Sequence, residues 1–248
     1  MGRWLKHLFI LCRKEIGDAF ASPFIYVVTG IFSILMGWLF FNYLILSKNL
    51  STLTITETVI KPIFGNMNFI FLFLAPLLTM RTFAEEKKMH TLELLFTSHL
   101  SHLQIILGKY LALLFQILFT LSFTLLFPLI LQLSGYSDWG IVAANYLGLI
   151  FSIMAYLTVG LFASSLTENQ IVSALASFAL LFGCILLVVS IQATNNPLVG
   201  EMARYLSVPY HYEGFVRGGV RTYSLVYYLS FIGFFLYLTH KSLDSRKW

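Results

Sequence analysis

The sequence predicts an all-α integral membrane protein with six transmembrane helices and an N-terminal helix lying flat at the membrane surface. Two observations carry this. Fifty-eight per cent of the 248 residues are hydrophobic and only 11% are charged, against about a quarter charged in soluble domains. The apolar residues gather into six runs free of Asp, Glu, Lys and Arg, and about 20 such residues cross a hydrocarbon core. A third observation bears on function. Residues 81–109 form a long charged stretch with membrane-length apolar runs against both ends.

Taken in order, residues 1–22 carry Arg3, Lys6, Arg13 and Lys14, with Trp4, Leu5, Leu8, Phe9, Cys12 and Ile16 spaced to share one helix face. That is the pattern of an interfacial helix. A cleaved signal is the rival, but Arg13, Lys14, Glu15 and Asp18 interrupt the apolar region it needs. The spans follow at 24–46, 62–80, 110–133, 141–163, 171–191 and 223–239. Pro23 and Pro62 stand at helix starts, where proline is tolerated. Pro128 predicts a kink in the third span. Residues 192–222 contain Glu201, Arg204, His211, Glu213, Arg217 and Arg221 among apolar residues, prolines and paired glycines. This is too apolar for a solvated loop and too charged for a span. It predicts a re-entrant hairpin of two short helices dipping into the outer leaflet, because irregular backbone at that depth must be buried in protein.

Six spans put both termini on one side, and positive charge decides which. Eleven Lys and Arg residues fall on the side of the termini and the 81–109 segment, and five on the other. Both termini are therefore expected in the cytoplasm. The net charge of +5 reads as a topology signal, with no nucleic-acid partner.

Within 81–109, Glu85, Glu86, Lys87 and Lys88 are consecutive, and Leu92, Leu95 and Phe96 follow at helical spacing. An amphipathic helix over 85–97 outside the bilayer is expected, with an apolar stripe that calls for a partner. Other chemistries are weaker. His90, His99 and His102 with Glu93 make a conceivable metal set, but polar edge residues of this kind are more often not ligands. His211 and Glu213 form a conceivable acid and base pair, yet the spans offer no nucleophile or second acidic cluster. No Asp, Glu or Arg lies in a span; Asn42, Gln116, Gln132 and Asn145 are among the polar groups there. A proton-coupled carrier normally needs an ionisable group at depth. Cys12 and Cys184 are too few for a disulfide framework or a CxxC metal site. Neither a catalytic residue nor a cofactor or metal site is expected.

Three stretches carry a resemblance. EEKKMHTLELLFTSHLSHLQIILGKYLA at 85–112, LFASSLTENQIVSAL at 161–175 and LSVPYHYEGFVRGGV at 206–220 resemble the corresponding parts of type-2 ABC transporter permeases, nearest to the gliding-motility-associated GldF type. With the flat first helix, the resemblance covers essentially the whole chain. Such permeases usually have glycine where His90 stands and proline where His99 stands. The resemblance implies a permease subunit driven by a dimer of separate cytoplasmic ATPases, which hold the ATP and magnesium. Gly108-Lys109, followed by Tyr110, lacks the preceding glycine of a P-loop. It implies ATPase contact through Glu85, Glu86, Lys87, Thr91, Leu92, Glu93, Leu95 and Phe96, and an outer gate containing Arg204, His211, Glu213 and Arg217. A second permease subunit, identical or homologous, would complete the pathway, with Gly30, Gly37, Gly160 and Ser164 allowing close helix approach. An extracytoplasmic accessory protein is a further expected partner. The alternative is a mechanical or assembly subunit that moves no cargo, and a membrane-embedded enzyme is the remote third.

Overall fold

A computed structural model describes residues 2–49, 54–97, 100–193, 201 and 205–245. The first helix, α1 (Gly2–Ala21), gives way at Ser22 to α2 (Pro23–Asn49). A π-helical turn (Thr56–Ile60) leads into α3 (Lys61–Thr79), and a turn at 80–83 into α4 (Ala84–Lys88) and α5 (Thr91–Thr97). Next come α6 (His102–Ser122), a 3₁₀ turn (Phe123–Leu125), α7 (Leu126–Leu133), α8 (Trp139–Leu166) and α9 (Gln170–Ala193). The chain ends with α10 (Val208–Val216) and α11 (Thr222–Asp244). No strand occurs among the described residues.

Among the described residues, five segments are long and apolar enough to cross a membrane: Pro23–Lys48, Thr56–Lys88, His102–Leu133, Trp139–Leu166 and Thr222–Asp244. The fifth run of the sequence falls in α9, whose described side chains form a shorter apolar helix, Gln170–Leu186. The break expected at Pro128 takes the form of the 3₁₀ turn. Proline has no N–H to offer the carbonyl four residues back, and the helix tightens over residues 123–125 before continuing as α7.

Helix α8 is the axis. Its residues from Leu149 to Ser165 are nearly all buried, and it packs on α3, α9, α10 and α11. Close approach depends on glycine at two levels. A Cβ at Gly160 would overlap Thr79 of α3, and one at Gly148 would overlap Phe215 of α10. Gly160 and Ser164 thus serve packing inside this chain. At Gly30 and Gly37 a Cβ would meet nothing within 4 Å. Between these levels Ser152 donates to Asn68 Oδ1 at 2.7 Å, a buried pair in which each side chain satisfies the other.

The helices define two ends. At one, Tyr136 pairs with Thr56 (3.1 Å) and Tyr212 of α10 donates to the Phe64 carbonyl near the start of α3 (3.0 Å). The expected hairpin over 192–222 lies partly outside the described residues, as does Arg204. Its described part includes α10 and a turn at Gly218 (φ +82°). At the opposite end α1 lies along α6, with Leu11 filling the space beside Gly108. Gly108-Lys109 is therefore helix interior, with no loop to cradle phosphate. Trp4, Leu5, Phe9 and Ile10 remain exposed on α1, so the helix keeps an apolar surface open beyond its contact with α6.

Candidate coupling site

The charged stretch folds as two short helices. Glu85 and Glu86 stand in the first turn of α4 and Lys87 and Lys88 in its last, so both ends suit the dipole. The helix stops at Met89 and His90 because His90 adopts φ +54°, a left-handed conformation rare outside glycine. The single amphipathic helix expected over 85–97 is thereby split into α4 and α5. Glycine adopts this conformation without the Cβ clash that His90 accepts. His99 and the side chains of Leu94 and Phe96 lie outside the described residues.

Three locks hold α4 against the helices. The amides of Phe83 and Ala84 donate to Ser164 Oγ of α8 at 3.0 and 3.1 Å, and that hydroxyl donates to the Met80 carbonyl at 3.3 Å. Ser164 thus satisfies donors at the start of α4 that the helix cannot pair itself. Lys87 is buried and its ammonium donates to the Ser165 carbonyl, which also accepts from Ser242 of α11 at 3.2 Å. Lys109 of α6, only 2% exposed, bonds Glu86 Oε1 at 2.7 Å and Glu15 Oε2 of α1 at 3.1 Å. The last lock joins the charged turn, α1 and a membrane-length helix through one ammonium. The other oxygen of Glu86 is buried without a hydrogen bond.

A cleft of about 390 Å³ opens beside this triad, lined by Lys14, Asp18, Arg81, Glu85 and Gln116 among others. Arg81 sits over the Phe24 ring at 4.7 Å and ties the end of α3 to the start of α2.

Of the residues expected to meet an ATPase, Glu86 and Lys87 turn inward and Leu92 is buried in the core. Leu95 is half-buried, whereas Glu85, Thr91 and Glu93 are exposed, together with Lys88, Met89 and His90. These six form a polar ridge around the α4–α5 turn, with Met89 (66% exposed) at its apex. Nothing in the sequence links Glu15, Ser164, Ser165 or Lys109 to this turn; the one signal is a lone lysine at the mouth of an apolar run.

At the other end, His211 and Glu213 do not meet as acid and base. Glu213 pairs with Arg217 on the exposed face of α10. His211 is 1% exposed, stacked on Tyr227 at 3.8 Å. Its Nε2 donates to the Tyr205 carbonyl (3.0 Å), leaving Nδ1 to accept from Ser224 (3.3 Å). Burial holds its pKa below the usual imidazole value, against the opposing hydrogen bond to Tyr205.

Five membrane-length segments among the described residues, a first helix packed along α6 and a charged turn locked to them define a multi-pass helical membrane protein. The chain belongs to the family described as ABC-2 family transporter protein, which it matches over residues 46–239. It is accordingly a permease subunit of an ABC transporter, of a family that is generally non-catalytic and works with an ABC ATPase. The match reaches the family and not the gliding-motility subgroup. No curated protein matches the chain.

Proposed function

We propose that this chain is the permease half of an ABC exporter in a bacterial inner membrane, with six spans, both termini cytoplasmic and the α4–α5 turn as its coupling element. Two ATPase subunits, holding ATP and magnesium, receive the ridge of Glu85, Lys88, Met89, Thr91 and Glu93. Their closure moves α4, and the movement reaches α8 through Ser164 and Ser165, α6 through Lys109, and α1 through Glu15. A second permease copy, identical or homologous, forms the other wall of the pathway. The outer segment around α10, with an extracytoplasmic accessory protein, closes its far side. The observation that carries this reading is the Glu86–Lys109–Glu15 triad. A buried ammonium between two carboxylates is costly, because all three groups must be desolvated, and here it ties α4 to both α6 and α1.

The test is capture of the ATPase encoded with this protein. Wild type should retain it, and Glu85→Arg/Glu93→Arg should release it, since both side chains are exposed and their reversal leaves the fold intact. Undiminished capture overturns the assignment of the ridge. Proteoliposomes in which ATP turnover moves the outer segment and no cargo would assign the mechanical role instead.

A further inference from the structure

The sequence groups His102 with His90, His99 and Glu93, but the fold delivers it elsewhere. His102 opens α6, held in place by the Ser101–Gln104 capping box. Its Nδ1 lies 2.7 Å from Asp244 Oδ1 at the end of α11. His240, one turn earlier on α11, brings its own Nδ1 to 3.4 Å from Asp244 Oδ2. One ligand atom from each of the three lies within 4.8 Å of the others. The helices that supply them are pinned nearby: Gln104 donates to the Trp4 carbonyl at 3.0 Å and Ser242 to the Ser165 carbonyl.

We infer that His102, His240 and Asp244 bind one divalent transition-metal ion, zinc first among them. Two imidazoles and a carboxylate form a three-ligand set of the kind that leaves one tetrahedral position to water. Residues four apart on a helix present two ligands to one ion from a single face, which is how α11 offers His240 and Asp244. Ligand atoms about 2.0–2.1 Å from zinc stand about 3.3 Å apart in a tetrahedron, so small side-chain rotations close the site. The carbonyl end of α11 adds a negative field that favours a cation. All three groups are partly exposed, so the ion is exchangeable. It would clip the start of α6, immediately after the α4–α5 segment, to the end of α11. The site stands independently of whether the ridge meets an ATPase.

Full-length protein purified with a histidine-free tag and stripped by a chelator should take up one Co²⁺ per chain. Saturable visible bands of a low-coordinate ion should appear, and Zn²⁺ should bleach them. His240→Ala and Asp244→Asn should each weaken binding at least about tenfold while eluting as monodisperse protein, and His90→Ala should leave it unchanged. Bands that are absent in the wild type, or that survive His240→Ala undiminished, overturn the site and leave Asp244 as a hydrogen-bond partner for two histidines.

Discussion

Replacing Lys109 by Met removes one ammonium and strands two carboxylates. Both bond to the same nitrogen, so their oxygens lie within about 6 Å of each other. At an effective dielectric constant near 20, two like charges at that distance repel by about 3 kcal/mol. Breaking a buried ion pair from one side costs about 3–5 kcal/mol. Part of this is relieved when a carboxylate turns toward the adjoining cleft, so about 3 kcal/mol is expected. For a chain of this length that corresponds to a loss of roughly 6–12 °C in melting temperature, readable by thermal unfolding in detergent. Lys109→Arg should recover part of the loss. The triple variant Lys109→Met/Glu86→Gln/Glu15→Gln should recover most of it, because the unpaired charges are gone. A melting temperature unchanged in Lys109→Met, or a triple variant no better than the single one, would refute the triad as a buried electrostatic lock.

Other substitutions test neighbouring features. Gly160→Ala should cost about 1–3 kcal/mol, since the new methyl overlaps Thr79, and Thr79→Ala should recover part of it in thermal melts of the pair. His90→Val, which forces a β-branched residue into φ +54°, should lower stability by about 1–2 kcal/mol. His90→Gly should match or exceed the wild type in the same melts. His211 is held neutral by burial, its folded pKa depressed. The unfolded chain therefore binds more protons, and stability falls as pH drops below about 6.5. The stability advantage of wild type over His211→Phe should accordingly shrink between about pH 7 and 5, measured as the difference of two melting curves.

The broad architecture was legible because it depends on short-range chemistry. Charge-free apolar runs mark most of the membrane-length helices, and the basic first helix reads as interfacial from its own residues. The charged turn also declared itself by contrast with its flanks. Its internal form did not. His90 in a left-handed conformation has no local sequence signal, and so one expected helix became two. A five-residue helix points consecutive residues in different directions. Glu86 and Lys87, which look like a solvated run, instead reach α6 and α8, while Glu85 and Lys88 stay outside. The triad and the histidine cluster unite residues far apart in sequence, such as Glu15 with Lys109 and His102 with Asp244. Only the packing of α1 and α11 against α6 brings them together. The sequence alone suggests Gly160 and Ser164 for a contact between subunits. They are consumed within the chain because α3 and α4 press against α8.

The most direct test of the coupling assignment is photo-crosslinking from the apex of the ridge in the assembled transporter. A photoreactive residue at Met89 should yield an adduct with the ATPase subunit. The same residue at Val220, exposed at the opposite end of the molecule, should yield none. An ATPase adduct from Val220, or its absence from Met89 in a complex that hydrolyses ATP, would contradict the account.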